Sequence, residues 1–167
     1  MDQRLARLKE EIYLVSLDFK DKYYQKALNK IEDLITAYPD RAEPYYELGR
    51  FCYDNWQNEE AEKNYKIALE KDPGYFPVYR EYAFLLIKIG RYDEAISIME
   101  RAFDLKTKEV SDIYFYLGLA YQHKDNIDEA IDHYKQSLRF SGNENQIKSA
   151  RNFLEMCIEL KEKYLYR

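Results

Sequence analysis

With 167 residues and an apolar share of 46%, the chain is long enough for one domain or a short array of repeats with a real core. Charged residues at 34% and a net charge of -5 argue against binding a phosphate backbone as the main role, and no apolar run approaches a membrane span. Only five glycines and four prolines occur, which argues against a loop-rich β fold and for an all-α chain. Neither nucleic acid nor membrane insertion is therefore expected. The opening residues MDQRLARLKEE hold no apolar signal-peptide core, so a cytoplasmic setting is expected. Cys52 and Cys157 lack CxxC or metal-ligand spacing and read as reduced thiols, with no metal and no cofactor.

In chain order, four similar units emerge. The first, 8–41, carries Leu14, Ala27, Ile31 and Pro39, with Glu11 and Asp18 at positions that are apolar elsewhere, as suits an uncovered end. The second, 42–75, has two amphipathic segments divided at Gln57-Asn58, and the acidic pair Glu59-Glu60 opens the second segment. The third, 76–110, divides at Gly90-Arg91 before Asp93-Glu94 and is one residue longer. The fourth, 111–144, divides at Asp125-Asn126 before Asp128-Glu129. Acidic side chains favour the positive end of the helix dipole, so each pair marks a helix start. A tail, 145–167, reads as one further helix. Ala150, Phe153 or Leu154, Cys157, Leu160 and Tyr164 lie on one stripe, with Met156, Ile158, Leu165 and Tyr166 off it.

Alanine gives the period. Ala27, Ala61, Ala95 and Ala130 are spaced by 34, 34 and 35 residues, and a large residue follows each four positions later: Ile31, Tyr65, Met99 and Tyr134. A small residue facing a large one, repeated at this interval, describes a helix–turn–helix unit whose two helices approach closely.

The second unit spells Tyr45-x2-Leu48-Gly49-x2-Cys52, then Ala61-x3-Tyr65, Ala68 and Pro73, and the fourth spells Tyr114-x2-Leu117-Gly118-x2-Tyr121, then Ala130-x3-Tyr134. The third is looser, with Tyr79, Ala83, Leu86, Ala95, Met99, and Thr107 where proline is usual. These units resemble the tetratricopeptide repeat family. The resemblance implies a single domain over 1–167: an α-solenoid of about four repeats closed by a C-terminal capping helix.

It also implies where a partner would lie. In that family the second, fifth, ninth, twelfth and thirteenth positions of each first helix line a concave groove. Here they are Lys9, Ile12, Ser16, Phe19 and Lys20; Glu43, Tyr46, Arg50, Tyr53 and Asp54; Pro77, Arg80, Phe84, Ile87 and Lys88; and Asp112, Phe115, Leu119, Gln122 and His123. The set is rich in aromatic and aliphatic groups, with five Lys or Arg against three Asp or Glu. It implies a peptide or helix of a partner protein, apolar with acidic flanks, contacting Tyr46, Arg50, Tyr53, Arg80, Phe84, Ile87, Lys88, Phe115, Leu119 and Gln122. The Lys-Asn, Asn, Lys-Arg pattern that grips a chaperone's C-terminal carboxylate is absent: those places hold Ile12, Ser16, Glu47, Pro77 and Glu81, or one repeat on Tyr46, Arg50, Glu81, Asp112 and Tyr116.

The residues that look chemical have structural explanations. His123 and His133 straddle a turn and share no helix face, Cys52 falls at a core position, and no catalytic fingerprint occurs. Trp56 is expected to pack locally in its turn. The expectation is thus a non-catalytic interaction scaffold, with homo-oligomerisation through 145–167 as the alternative and an enzyme as a remote third.

Overall fold

A computed structural model describes residues 24–165, with side chains from 25 to 163. Leu14, Glu11, Asp18 and the inner-face positions Lys9, Ile12, Ser16, Phe19 and Lys20 lie outside the described residues, as do Tyr166 and the side chains of Tyr164 and Leu165. Eight helices and no strand occur among the described residues, an all-α helical solenoid. They are α1 (Tyr24–Ala37), α2 (Ala42–Asp54), α3 (Asn58–Lys71), α4 (Phe76–Lys88), α5 (Tyr92–Phe103), α6 (Val110–His123), α7 (Ile127–Phe140) and α8 (Glu144–Leu165). Each acidic pair falls in the first turn of α3, α5 or α7. The chain divides into two compact units, one ending at Val78 and one beginning at Tyr79.

In the first unit, Ala27, Ile31 and Leu34 recur on one face of α1 and are buried with Phe51 of α2. Burying each of the large side chains Ile31, Leu34 and Phe51 contributes about 1.5–3 kcal/mol. Gly49 of α2 lies against Tyr65 of α3: a Cβ there would stand 2.5 Å from Cε1 of that ring. Only the missing side chain lets the two helices approach so closely. Ala61 and Ala68 are fully buried beside it.

The second unit repeats the device. Ala83, Ala95, Met99, Ala130 and Tyr134 are all fully buried. α8 packs on α7, covering Ala130, Ile131 and Tyr134 with Cys157 and with the half-buried Phe153 and Leu154. Of its expected stripe, Ala150 and Cys157 are buried and Phe153, Leu154 and Leu160 half-buried, while Met156 and Ile158 are exposed off it. The residue added to the third unit falls in the connection before α6, where Lys106 takes a positive φ of 48°.

The turns inside the units share one geometry. Trp56, Gly90 and Asp125 have φ of 62°, 81° and 61°. After each, an N–H closes back on the preceding helix: Gln57 on the carbonyl of Cys52 (2.9 Å), Arg91 on Leu86 (2.8 Å) and Asn126 on Tyr121 (3.0 Å). This is the Schellman closure, which needs a left-handed residue just before the donor. Trp56 departs from its expected role. It is 90% exposed at a left-handed turn position, standing in solvent rather than in a local core.

Candidate functional site

In the first unit, α2 presents Tyr46, Arg50 and Tyr53. Tyr46 is buried and meets the ring of Tyr75 edge-on at 5.5 Å. The Arg50 guanidinium sits 5.7 Å over the Tyr46 ring, and its Nη1 lies 3.4 Å from Oε2 of the buried Glu47. Burial raises the Tyr75 hydroxyl well above the ordinary tyrosine range, reinforced by Tyr46, Glu43 and Glu47 and opposed by Arg50. Tyr53 is half-buried.

In the second unit the positions divide. Ile87 and Leu119 are buried at 3% and 7% exposure and serve as core. Arg80, Phe84 and Phe115 are half-buried, and Lys88 is exposed with its Nζ 5.1 Å over the Phe84 ring. Phe84 meets Tyr116 edge-on at 6.4 Å, and Tyr116 meets Phe115 at 5.5 Å, so the three rings run from α4 to α6. Phe115 also packs edge-on against Phe153 of α8 at 5.4 Å. Gln122 accepts a hydrogen bond from the Tyr134 hydroxyl (2.8 Å), and its amide nitrogen lies 3.5 Å from Sδ of Met156.

α8 thus reaches the inner-face positions of α6. Gln146 donates to Oδ1 of Asp112 at 2.6 Å, and the pairs Asp112–Gln146 and Gln122–Met156 are each 34 residues apart. Their spacing is one repeat period, so α8 stands on α6 as the first helix of a further unit would.

Between α4, α6, α7 and α8 lies a pocket of about 360 Å³. Its floor is Ser111 and Ser137, each hydroxyl donating to the other's backbone carbonyl at 2.9 Å. Phe115 and Tyr116 line it, with Arg80, Glu81, Asp112, Asn145, Gln146 and Ser149 as its further polar groups. Arg80 donates to Oε1 of Glu81 from Nη2 (3.1 Å) and Nε (3.3 Å), while its Nη1 lies 3.9 Å from Oδ2 of Asp112. Burial lifts the Asp112 carboxyl above its ordinary range, although Arg80 and Gln146 pull it down. The register found Arg80, Asp112 and Phe115. It missed Gln146, which needed the 34-residue spacing carried into the tail, and Glu81 and Tyr116, which stand one position off the inner-face set.

The histidines serve as aromatic packing. His133 stacks on Tyr121 at 5.1 Å and His123 on Tyr92 at 5.7 Å. Among the described residues, no group of three His, Cys, Asp or Glu could hold a metal ion. Cys52 is buried, and burial with the nearby Glu60 pushes its thiol up to about 11, far from a nucleophile's range.

Family sequence profiles for the tetratricopeptide repeat match residues 23–76 and 76–142. The chain belongs to the tetratricopeptide repeat family. This repeat protein is 22% identical over 136 residues to human protein O-mannosyl-transferase TMTC1; the match takes in 80% of the chain but spans only 15% of that protein's length. Among solved structures it is similar to Pseudomonas aeruginosa PilF, with a TM-score of 0.82 and 20% identity over 97% of this chain and 72% of that one. It is also similar to the first tetratricopeptide domain of Spaghetti (RPAP3) bound to an HSP90 peptide, with a TM-score of 0.64 and 20% identity over 73% of this chain and 94% of that one. No helix among the described residues is long and apolar enough to cross a membrane.

Proposed function

We propose that this chain is a non-catalytic interaction module, acting in the cytoplasm as one domain, that holds a peptide or helical segment of a partner protein along its first helices. The pocket of about 360 Å³ carries this reading, because inner-face positions of α4, α6 and α8 converge on it. Arg80, Phe84, Lys88 and Phe115 give the second unit a half-buried aromatic surface with charged ends, and Arg50 and Tyr53 offer a smaller one in the first, over the buried Tyr46. Half-exposed aromatics beside fixed charges suit a segment with apolar anchors and a defined direction. The RPAP3 domain, bound to a peptide, supports the class of ligand. The peptide itself does not transfer, since the carboxylate-gripping residues are absent here. The transferase named in TMTC1 belongs to a protein of which this chain matches 15%.

Display of random peptides against the full chain tests the reading. Selected peptides are expected to bind saturably and to weaken by tenfold or more on Phe84→Glu, with helix content unchanged. A selection that enriches no saturable peptide, or peptides indifferent to Phe84→Glu, overturns it. Homo-oligomerisation through α8 is the second reading, favoured by exposed Met156 and Ile158. Mass that rises with concentration and drops on Met156→Glu with Ile158→Glu would select it.

A further inference from the structure

The pocket between α4, α6, α7 and α8 has a charge balance that its position in the repeat does not explain. Two carboxylates, Glu81 and Asp112, share one guanidinium, and no lysine lines the cavity. Arg80 is held closely by Glu81 and only loosely by Asp112, at 3.9 Å. Asp112 receives one short hydrogen bond, from Gln146, although its side chain is only 16% exposed. An anion entering here would meet two carboxylates and a guanidinium already engaged. A neutral apolar group would leave the desolvated carboxylate as it is, and a neutral donor would leave its charge unmatched. A cation would be hydrogen-bonded by Asp112 and Glu81 while its hydrocarbon stem lay against Phe115 and Tyr116, the combination that suits a long basic side chain.

We propose that this pocket receives one arginine or lysine side chain of the partner segment, gripped by Asp112 and Glu81 and flanked by the rings of Phe115 and Tyr116. The proposal rests on the interaction reading and refines it. From Arg80 to Lys88, α4 rises about 12 Å, with Phe84 between them. The bound segment therefore carries a basic residue at one end, an apolar residue over Phe84, and its acidic flank near Lys88. Arg80 serves to position the two carboxylates, not to bind an acid.

The test titrates N-acetyl-arginine amide into the isotopically labelled full chain at millimolar concentration, with the norleucine and glutamate analogues as controls. Backbone amides of Ser111, Asp112 and Gln146 are expected to shift with the arginine probe alone. Asp112→Asn keeps an acceptor for Gln146 and is expected to weaken the response about tenfold, and Glu81→Gln gives an independent second variant. Equal shifts with norleucine, no shift with arginine, or a response that survives both variants would overturn the proposal. Display-selected peptides that need Phe84 but lack any basic residue would sink this pocket and leave the interaction reading standing. Failure to select any peptide would remove that reading first.

Discussion

A Cβ built on Gly118 would stand 2.9 Å from Cδ1 of Tyr134, whose ring is fully buried between helices α6 and α7. Alanine there gains about 1 kcal/mol of helix propensity but overpacks a rigid ring, a cost of about 1–3 kcal/mol. Gly118→Ala is therefore expected to lower stability by about 1 kcal/mol, and Gly49→Ala by more, because its Cβ would lie 2.5 Å from Tyr65. Gly142 has nothing within 4 Å, so Gly142→Ala should stay near wild type. Urea unfolding of the three variants checks the ranking, and a Gly118→Ala protein as stable as wild type would contradict it.

The left-handed turns give a second ranking. Gly90 at φ 81° pays no steric cost, so Gly90→Ala is expected to lose about 1 kcal/mol. Asp125 and Trp56 already bear that cost. Asp125→Gly should change stability little, since relief of strain and the added chain entropy of glycine nearly cancel. Thermal melts of the two variants separate the cases.

Burial lowers the His133 pKa from its ordinary 6.5, a shift partly opposed by Asp132, Glu100 and Glu129. The unfolded chain thus takes up a proton more readily than the fold, and stability falls as pH drops through the histidine range. Asp54 and Asp112, whose carboxyls are raised mainly by burial, act in the opposite direction at lower pH. The clean measurement is the difference between wild type and His133→Gln melted at each pH. Wild-type stability minus that of His133→Gln should decrease as pH is lowered toward and below the ordinary histidine pKa, and a constant difference would refute the assignment.

Cys52 and Cys157 are both buried, and burial raises both thiols, Cys52 to about 11. Neither should react with a disulfide reagent at pH 8 in the folded chain, and both should react fully in urea. Rapid labelling of the native protein would show that one of the two helices carrying them opens readily.

The packing of the repeat was legible because it is written in residue size. Ala27, Ala61, Ala95 and Ala130 recur at a fixed interval, and all four are fully buried. The places of the turns were legible from their polar or glycine residues, but their left-handed backbone only where glycine marks it. Gly90 does, whereas Trp56 and Asp125 adopt the same backbone without that signal, held by the N–H closures of Gln57 and Asn126. The candidate pocket was half legible. Arg80, Asp112 and Phe115 follow from register, but the burial of Ile87 and Leu119 depends on how neighbouring helices close over them. Residue spacing names a face without saying how deeply it is covered.

The helix α8 copies only part of the repeat's packing template. One period beyond Tyr114, Leu117, Gly118 and Tyr121 stand Lys148, Arg151, Asn152 and Glu155, all exposed. The inner edge of α8 copies a repeat, while the edge that would recruit another helix is written in charge and amide. That edge of α8 is therefore polar at four template positions. Restoring the aromatic, aliphatic and glycine template at those four sites would turn the last helix into an acceptor, able to take up a newly appended helix or the helix of another molecule.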